Sequence, residues 1–313
     1  MSSWKILLTD GLEENGKNLL RQHTEVVDQK GITAEELLKV IGEYDALIVR
    51  GRTKVNSAVF AAATNLKVVG RSGVGVDNID LAAAKAHNVT VVNAPIATSL
   101  SVAELTLALM LSIVREVPRA DASMKAGQWI KKELEGLELS GKTLGIIGFG
   151  RIGSLVASRA AAFDMTVLGY DPLIPASEIQ ARGGKPVSLD ELLPQSDIIT
   201  LHLPLTPDSK NLLNGNAFSK MKKGVYIICA ARGGIIDETA LLAALDSGHV
   251  AGAALDVFSV EPPADTALAG HPKVVATPHV GGQTVEAQVR AAEDISNEVL
   301  AALAGKPLRW KVA

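Results

Sequence analysis

Three polar side chains in the second half of the chain follow apolar runs. Arg232 comes after residues 224–229, Glu261 just before Pro262-Pro263, and His279 between Pro278 and Val280, ahead of Gly281-Gly282. An arginine beside two glycines, Gly233 and Gly234, is poorly explained as packing, and its planar fork suits a carboxylate bidentately. A histidine exchanges a proton near neutral pH. A carboxylate on its other ring nitrogen fixes the tautomer and favours imidazolium. Together the three could move a hydride and a proton at a 2-hydroxy acid. Arg232 would hold the substrate carboxylate and polarise the C2 oxygen, His279 would take the hydroxyl proton, and Glu261 would orient His279. Asp256 and His202 end similar runs; His202, two residues before Pro204, reads equally well as a structural residue or a cofactor contact. Each of these residues alone would be unremarkable as a surface charge or a capped loop.

Gly148-Phe149-Gly150-Arg151-Ile152-Gly153 follows the apolar run 143–147 and opens a helical stretch over 154–162. In a dinucleotide fold the first glycine makes the tight turn, the second lets a pyrophosphate approach the backbone, and the third lets helix pack on strand. The next run ends in Asp171, 18 residues after Gly153. A carboxylate there accepts the adenosine ribose hydroxyls and repels a 2′-phosphate, and Pro172-Leu173 bring no cation, so NAD is the expected cofactor. Two other glycine stretches compete. Residues 136–143 match the P-loop pattern, but the strand comes after Lys142 instead of before the loop, so the match is accidental. Gly73-Val74-Gly75-Val76-Asp77 follows a strand without a third glycine; it is either a plain turn or a set of amides facing an anionic substrate.

These side chains need elements that end together. Short β-branched runs alternate with longer Ala/Leu-rich stretches, first at 5–9, 25–28, 46–50, 66–70 and 89–93. A second set follows at 143–147, 166–170, 198–203, 224–229, 251–257 and 274–277. Strands alternating with helices predict parallel sheets with right-handed crossovers, an α/β fold of two Rossmann-like domains. Helical patterns over 34–41 and 81–87 lie within the first set. The sets are separated by what reads as the longest helix. It opens with a capping box at Ser101-Val102-Ala103-Glu104 and runs toward Pro118, where it should end or kink. A final amphipathic helix over 287–303, closed by Gly305, is expected to return to the first domain. The substrate domain is therefore 1–97 plus 284–313, and the NAD-binding domain inserted in it is 98–283.

The chain has 313 residues, 47% apolar and 21% charged, which suits about two globular domains with ordinary cores. Aromatics are 4%, so the cores must be mainly Ala, Val, Ile and Leu. A net charge of −3 leaves no basic field for nucleic acid or an anionic membrane, and neither is an expected partner. The single Cys229 makes no intrachain disulfide and no zinc cluster, and no metal is expected. The apolar run 105–114 is too short to span a bilayer. The N-terminus lacks the apolar core and cleavage site of a signal peptide, so a cytoplasmic protein is expected.

The glycine loop with Asp171, Ala231-Arg232-Gly233-Gly234, the stretch 255–263 around Asp256 and Glu261, and Pro278-His279-Val280-Gly281-Gly282 resemble the D-2-hydroxyacid dehydrogenase family. The arginine–glutamate–histidine order, with separations of 29 and 18 residues, matches that family's triad. The stretches 49–55, 73–80, 101–104, 129–132 and 139–145 extend the resemblance over nearly the whole chain. It implies catalysis by Arg232, Glu261 and His279, and a homodimer through the long-helix region. It places Arg151, Ile152, His202, the Ala231 backbone, Asp256 and Gly281 on the cofactor beside Gly148, Gly150, Gly153 and Asp171. It also implies substrate binding in a cleft, with Arg50, Arg52, Gly73 and Val74 beside Arg232 and His279.

Three positions depart from the pattern: many members carry Asn where Cys229 and Thr98 stand, and serine is common where Gly51 stands. The chain stops at Ala313, without the C-terminal regulatory extension of longer relatives, so feedback through such a domain is not expected. Arg50, Arg52 and Lys54 would suit a phosphorylated 2-hydroxy acid, or they decorate a surface loop; Arg50, directly ending a strand, fits the first better. A glyoxylate or hydroxypyruvate reductase would use the same triad without those cations. An NADH-sensing interaction protein could keep the triad on the same fold, and turnover of a small hydroxy acid would separate it from an enzyme.

Overall fold

Branched aliphatic runs bounded by turns fold as short parallel strands, and the order of those strands marks where the chain reverses direction across each sheet. The computed structural model describes residues 4–313. Residues 1–3, part of the stretch read as lacking a signal peptide, lie outside the described residues. The chain forms two units, one running to Ser99 and resuming over Gly282–Ala313, the other Leu100–Gly281.

The first unit holds β1 (Trp4–Leu8), β2 (Thr24–Asp28), β3 (Ala46–Val49), β4 (Val68–Arg71) and β5 (Thr90–Asn93), all parallel, in the order β2-β1-β3-β4-β5. The order reverses between β1 and β3. The second unit holds β6 (Thr143–Ile147), β7 (Thr166–Tyr170), β8 (Lys185–Pro186), β9 (Ile198–Leu201), β10 (Val225–Cys229), β11 (Val250–Leu255) and β12 (Val274–Ala276). Its sheet is parallel in the order β12-β11-β10-β9-β6-β7-β8, reversing between β6 and β9. Two doubly wound α/β sheets result. β3 and β9 are buried along their whole length, as strands covered on both faces must be. β8 has no signal in the sequence because it is two residues long and contains Pro186, which is tolerated there at a sheet edge.

The helix after β5 differs from expectation in three ways. It begins at Ser99, so Ser101 already lies inside its first turn and cannot cap from there, while Glu104 points to solvent. An N-cap must stand outside the helical residues, and the four-residue pattern at 101–104 is off by a turn. The helix stops at Val114, where Glu116 turns left-handed (φ 50°); Pro118 then sits in the first turn of a separate helix, Val117–Lys125, where its missing N–H costs nothing. At 16 residues it is also shorter than the terminal helix, Val285–Leu303, of 19.

That terminal helix belongs to the first unit. Thr284 caps it by accepting the Ala287 N–H, and Gly305 (φ 64°) ends it, with the Lys306 N–H reaching back to the Ala301 carbonyl at 2.9 Å. Ile295 and Val299 pack fully buried against Ile48 and Val68 on the sheet. Glu298, 5% exposed, accepts the N–H groups of Arg309 and Trp310, both at 3.0 Å. The tail so held runs along β5: Val312 N–H donates to the Val91 carbonyl (2.8 Å) and Val91 N–H to that of Ala313 (3.0 Å). A buried carboxylate thus closes an edge that would otherwise expose unpaired backbone.

Replacing Glu298 with Ala strands two backbone donors and frees this edge. We expect Glu298→Ala to lower unfolding free energy by about 2–4 kcal/mol, on the scale of hydrogen bonds to a charged acceptor. Denaturant titration checks this, and an unchanged midpoint would show that the tail is held by other contacts.

Candidate active site

In an open parallel sheet the carboxyl ends of the strands share one edge, and ligands bind there at the strand-order reversal. In the second unit that point lies between β6 and β9. The glycine loop leaves β6 and His202 leaves β9, so close together that a side chain on Gly148 (φ 95°) would meet the His202 backbone at 2.7 Å. Gly150 is the N-cap of the helix Arg151–Ala161, with open space where a side chain would stand and no side-chain cap on its amides. This is the arrangement that accepts a phosphate. Arg151 and Ile152 follow as the first residues of that helix.

Asp171 leaves β7 and ties the loop down. Its Oδ2 accepts the Phe149 N–H at 2.8 Å and its Oδ1 the Leu173 N–H at 2.9 Å, leaving lone pairs for ribose hydroxyls. Two further residues shape this loop, and neither stands out in the sequence. Phe149 is fully buried in the core beneath the loop, where Gly169 and Gly184 make room for its ring. Arg182 donates to the Phe149 carbonyl at 2.7 Å and is ion-paired with Glu178, so its charge is already countered. His202 Nε2 lies 3.1 Å from the Thr200 hydroxyl, while its Nδ1 is buried with no hydrogen-bond partner among the described residues. Burial pulls its pKa down to about 3, so the ring is neutral at physiological pH. The open helix start, the spare oxygens of Asp171 and the orphaned His202 nitrogen fit a dinucleotide.

The other polar residues come from the next strands. β10, β11 and β12 are adjacent, and their exits carry Arg232, Asp256 with Glu261, and His279. His279 Nδ1 donates to Glu261 Oε2 at 2.7 Å, and Glu261 Oε1 accepts the Phe258 N–H at 3.1 Å. Since a carboxylate only accepts, the proton sits on Nδ1, and Nε2 keeps a lone pair for a substrate hydroxyl. Arg232 donates Nη1 to the Ala231 carbonyl at 2.7 Å, so that backbone group steadies the guanidinium. Gly233 lets this loop lie against the one from β11: a side chain there would meet the Phe258 carbonyl oxygen at 1.9 Å. Glu238 braces the same loop through the N–H and hydroxyl of Ser259, at 2.6 and 2.8 Å.

Asp256, 1% exposed, holds the turn that presents His279. Its Oδ1 accepts the Thr277 hydroxyl (2.6 Å) and the Val280 N–H (2.8 Å), and its Oδ2 the Gly281 N–H (2.8 Å). The His279 N–H donates to the Asp256 carbonyl at 2.9 Å. Cys229, at the end of β10, is buried, and burial pushes its thiol up to about 11, which leaves it an inert packing group.

The remaining predicted residues lie in the first unit. Arg50 follows β3, its backbone N–H bound to Asp10 and its Nη2 3.3 Å from Gln283 Oε1. Arg52 is engaged elsewhere, donating to the carbonyls of Thr9 (2.7 Å) and Ile32 (3.0 Å). Lys54 is exposed. Gly73 and Val74 form the turn after β4, where their carbonyls accept the Ala94 N–H (2.9 Å) and the Asn93 amide (2.7 Å). Gly51 is exposed with open space around it, so a serine would fit there. Thr98 is buried. Among the described residues there is no cluster of three metal-ligating side chains, and no helix is long and apolar enough to cross a membrane.

Comparison with known proteins identifies relatives of the chain. Residues 107–281 match the NAD binding domain of the D-isomer specific 2-hydroxyacid dehydrogenases. D-3-phosphoglycerate dehydrogenase 2, chloroplastic, of Arabidopsis thaliana is 50% identical over 96% of this chain and 49% of its own. D-3-phosphoglycerate dehydrogenase of Bacillus subtilis is 48% identical over 97% of this chain and 58% of its own. The chain thus spans about half the length of these curated relatives. The structure of a glyoxylate reductase from Paecilomyes thermophila is 31% identical with a TM-score of 0.91, covering 100% of this chain and 99% of that one.

Removing the Asp256 carboxylate leaves three donors around His279 unpaired. We expect Asp256→Ala to lower turnover of a 2-hydroxy acid by roughly 10–100-fold, the loss that follows when a reacting group is displaced by about an ångström. Steady-state kinetics beside a thermal melt would check it. Undiminished turnover would mean the turn holds its shape without Asp256.

Proposed function

The chain belongs to the D-isomer specific 2-hydroxyacid dehydrogenases, and we propose that it oxidises 3-phospho-D-glycerate at C2 to 3-phosphohydroxypyruvate, a step toward serine, with NAD as acceptor. The observation that carries the chemistry is the His279–Glu261 hydrogen bond of 2.7 Å on strand exits adjacent to that of Arg232. When bound, the nicotinamide accepts the hydrogen and electron pair leaving C2. Arg232 binds the substrate carboxylate and draws density from the C2 oxygen, which eases loss of the hydroxyl proton. His279 Nε2 takes that proton as the C–H bond breaks. Glu261 holds the ring in the tautomer that can accept it and stabilises the imidazolium that forms. The same groups serve reduction, with His279 returning the proton.

Two observations support the phosphorylated acid. The curated relatives are named for it, and Arg50 stands at the first unit's strand-order reversal, where open sheets take ligands. A phosphate brought out of water needs charge-assisted hydrogen bonds, and Arg50 can supply two. Arg52, proposed beside it from the sequence, is paired with Asp10 and hydrogen-bonded to the carbonyls of Thr9 and Ile32, so its charge is countered within the chain. Asp171 favours NAD over NADP. The glyoxylate reductase neighbour favours a second reading, reduction of a small unphosphorylated keto acid.

An assay of phosphorylated and plain 2-hydroxy acids with both cofactors separates these readings. We expect preference for 3-phosphoglycerate and NAD, with Asp171→Ala narrowing the cofactor preference. Arg50→Ala should lower kcat/KM for the phosphorylated acid roughly 10–150-fold, the value of one hydrogen bond to a charged group, and affect glycerate less. Preference of the unaltered protein for glycerate or glyoxylate would favour the second reading.

A further inference from the structure

Asp10 leaves β1 beside the strand-order reversal of the first sheet, and its side chain is 4% exposed. A buried carboxylate is costly unless donors fill its lone pairs. Here they come from a single turn, the one that carries Arg50. Oδ2 accepts the N–H groups of Arg50 (2.7 Å) and Thr53 (3.1 Å). Oδ1 accepts the Thr53 hydroxyl at 2.6 Å and faces Arg52 Nη2 at 3.2 Å.

The opposite side of the turn is tied as well. Asn78 donates its amide to the carbonyls of Arg50 (3.0 Å) and Thr53 (2.7 Å). Arg52 bonds the carbonyl of Thr9, one residue before Asp10, so the charge on Asp10 and the end of β1 are held by the same guanidinium. Apolar packing does not explain the order at the tip, because Gly51 and Arg52 are both exposed there. The turn is shaped by polar contacts: its donors converge on one carboxylate, and Asn78 holds the carbonyls opposite.

We infer that Asp10 is the positioning residue for Arg50, fixing the turn 50–53 so that the Arg50 side chain is presented to the substrate phosphate. Arg52 and Thr53 act with it and need not touch substrate. This rests on the proposed role of Arg50. With the clamp broken, binding must first order the turn, and ordering a single backbone residue is worth roughly 5–30-fold in affinity.

The test is a kinetic comparison of Asp10→Asn, Arg50→Ala and the double variant, with 3-phosphoglycerate and with glycerate, beside NADH titration as a check on the second unit. Asparagine has one acceptor oxygen, so its amide nitrogen must face either the Arg50 and Thr53 N–H groups or the Thr53 hydroxyl and Arg52. The expected result is a KM for 3-phosphoglycerate raised about 5–30-fold, with kcat and NADH affinity within about twofold, and a smaller change with glycerate. The double variant should match Arg50→Ala, because residues acting through one group are not additive. Thr53→Val, which removes only the hydroxyl donor, should shift KM in the same direction and serves if Asp10→Asn does not fold. Equal losses for both substrates, or additive losses in the double variant, would overturn the inference in favour of general stability. An effect of Arg50→Ala without one from Asp10→Asn or Thr53→Val would overturn it while leaving the substrate reading standing. No effect of Arg50→Ala on the phosphorylated acid would overturn both.

Discussion

In a parallel sheet every strand releases its loop at the same edge, and those loops begin with backbone amides that have lost their ladder partners. In three places a carboxylate just past one strand accepts the amides of the loop leaving the neighbouring strand. Asp171 after β7 holds the glycine loop after β6. Asp256 after β11 holds the turn after β12. Asp10 after β1 holds the turn after β3. Each satisfies polar groups that would otherwise cost about 1–3 kcal/mol when buried, and each fixes a loop that carries a residue proposed for ligand or chemistry.

The constraint is tightest at His279. Its backbone is left-handed, at φ 52°, a conformation that costs a non-glycine residue about 1–3 kcal/mol. The surrounding bonds from Asp256 offset that cost and turn the ring toward Glu261. The left-handed backbone and the ring's hydrogen bond to Glu261 thus occur at the same residue.

The repeating alternation of branched runs and Ala-rich stretches made the parallel α/β architecture legible, because doubly covered strands carry an almost unbroken apolar pattern. The glycine loop was legible for a related reason: strand, tight turn and helix leave a joint signature in spacing. Local signals of one or two residues were less secure. The pattern at Ser101 looks like a cap, yet the helix already starts at Ser99. Pro118 marks a helix start where a helix end or kink is expected, since proline suits a first turn as well as it ends a last one. Phe149, Arg182 and Asp10 were silent because their roles depend on loops from distant parts of the sequence. Arg52 has the right charge for a phosphate, but its geometry spends that charge on the chain's own carbonyls.

The central claim is that His279, held by Glu261 and Asp256, moves the substrate proton while the dinucleotide is bound by other residues. The direct measurement is single-turnover and steady-state rate against NADH affinity in His279→Ala. Turnover should fall by roughly 10²–10⁴, the contribution of a positioned acid–base group, with NADH affinity within about twofold of the unaltered protein. Full turnover in His279→Ala would contradict the claim, as would a loss of NADH binding large enough to account for the loss of rate.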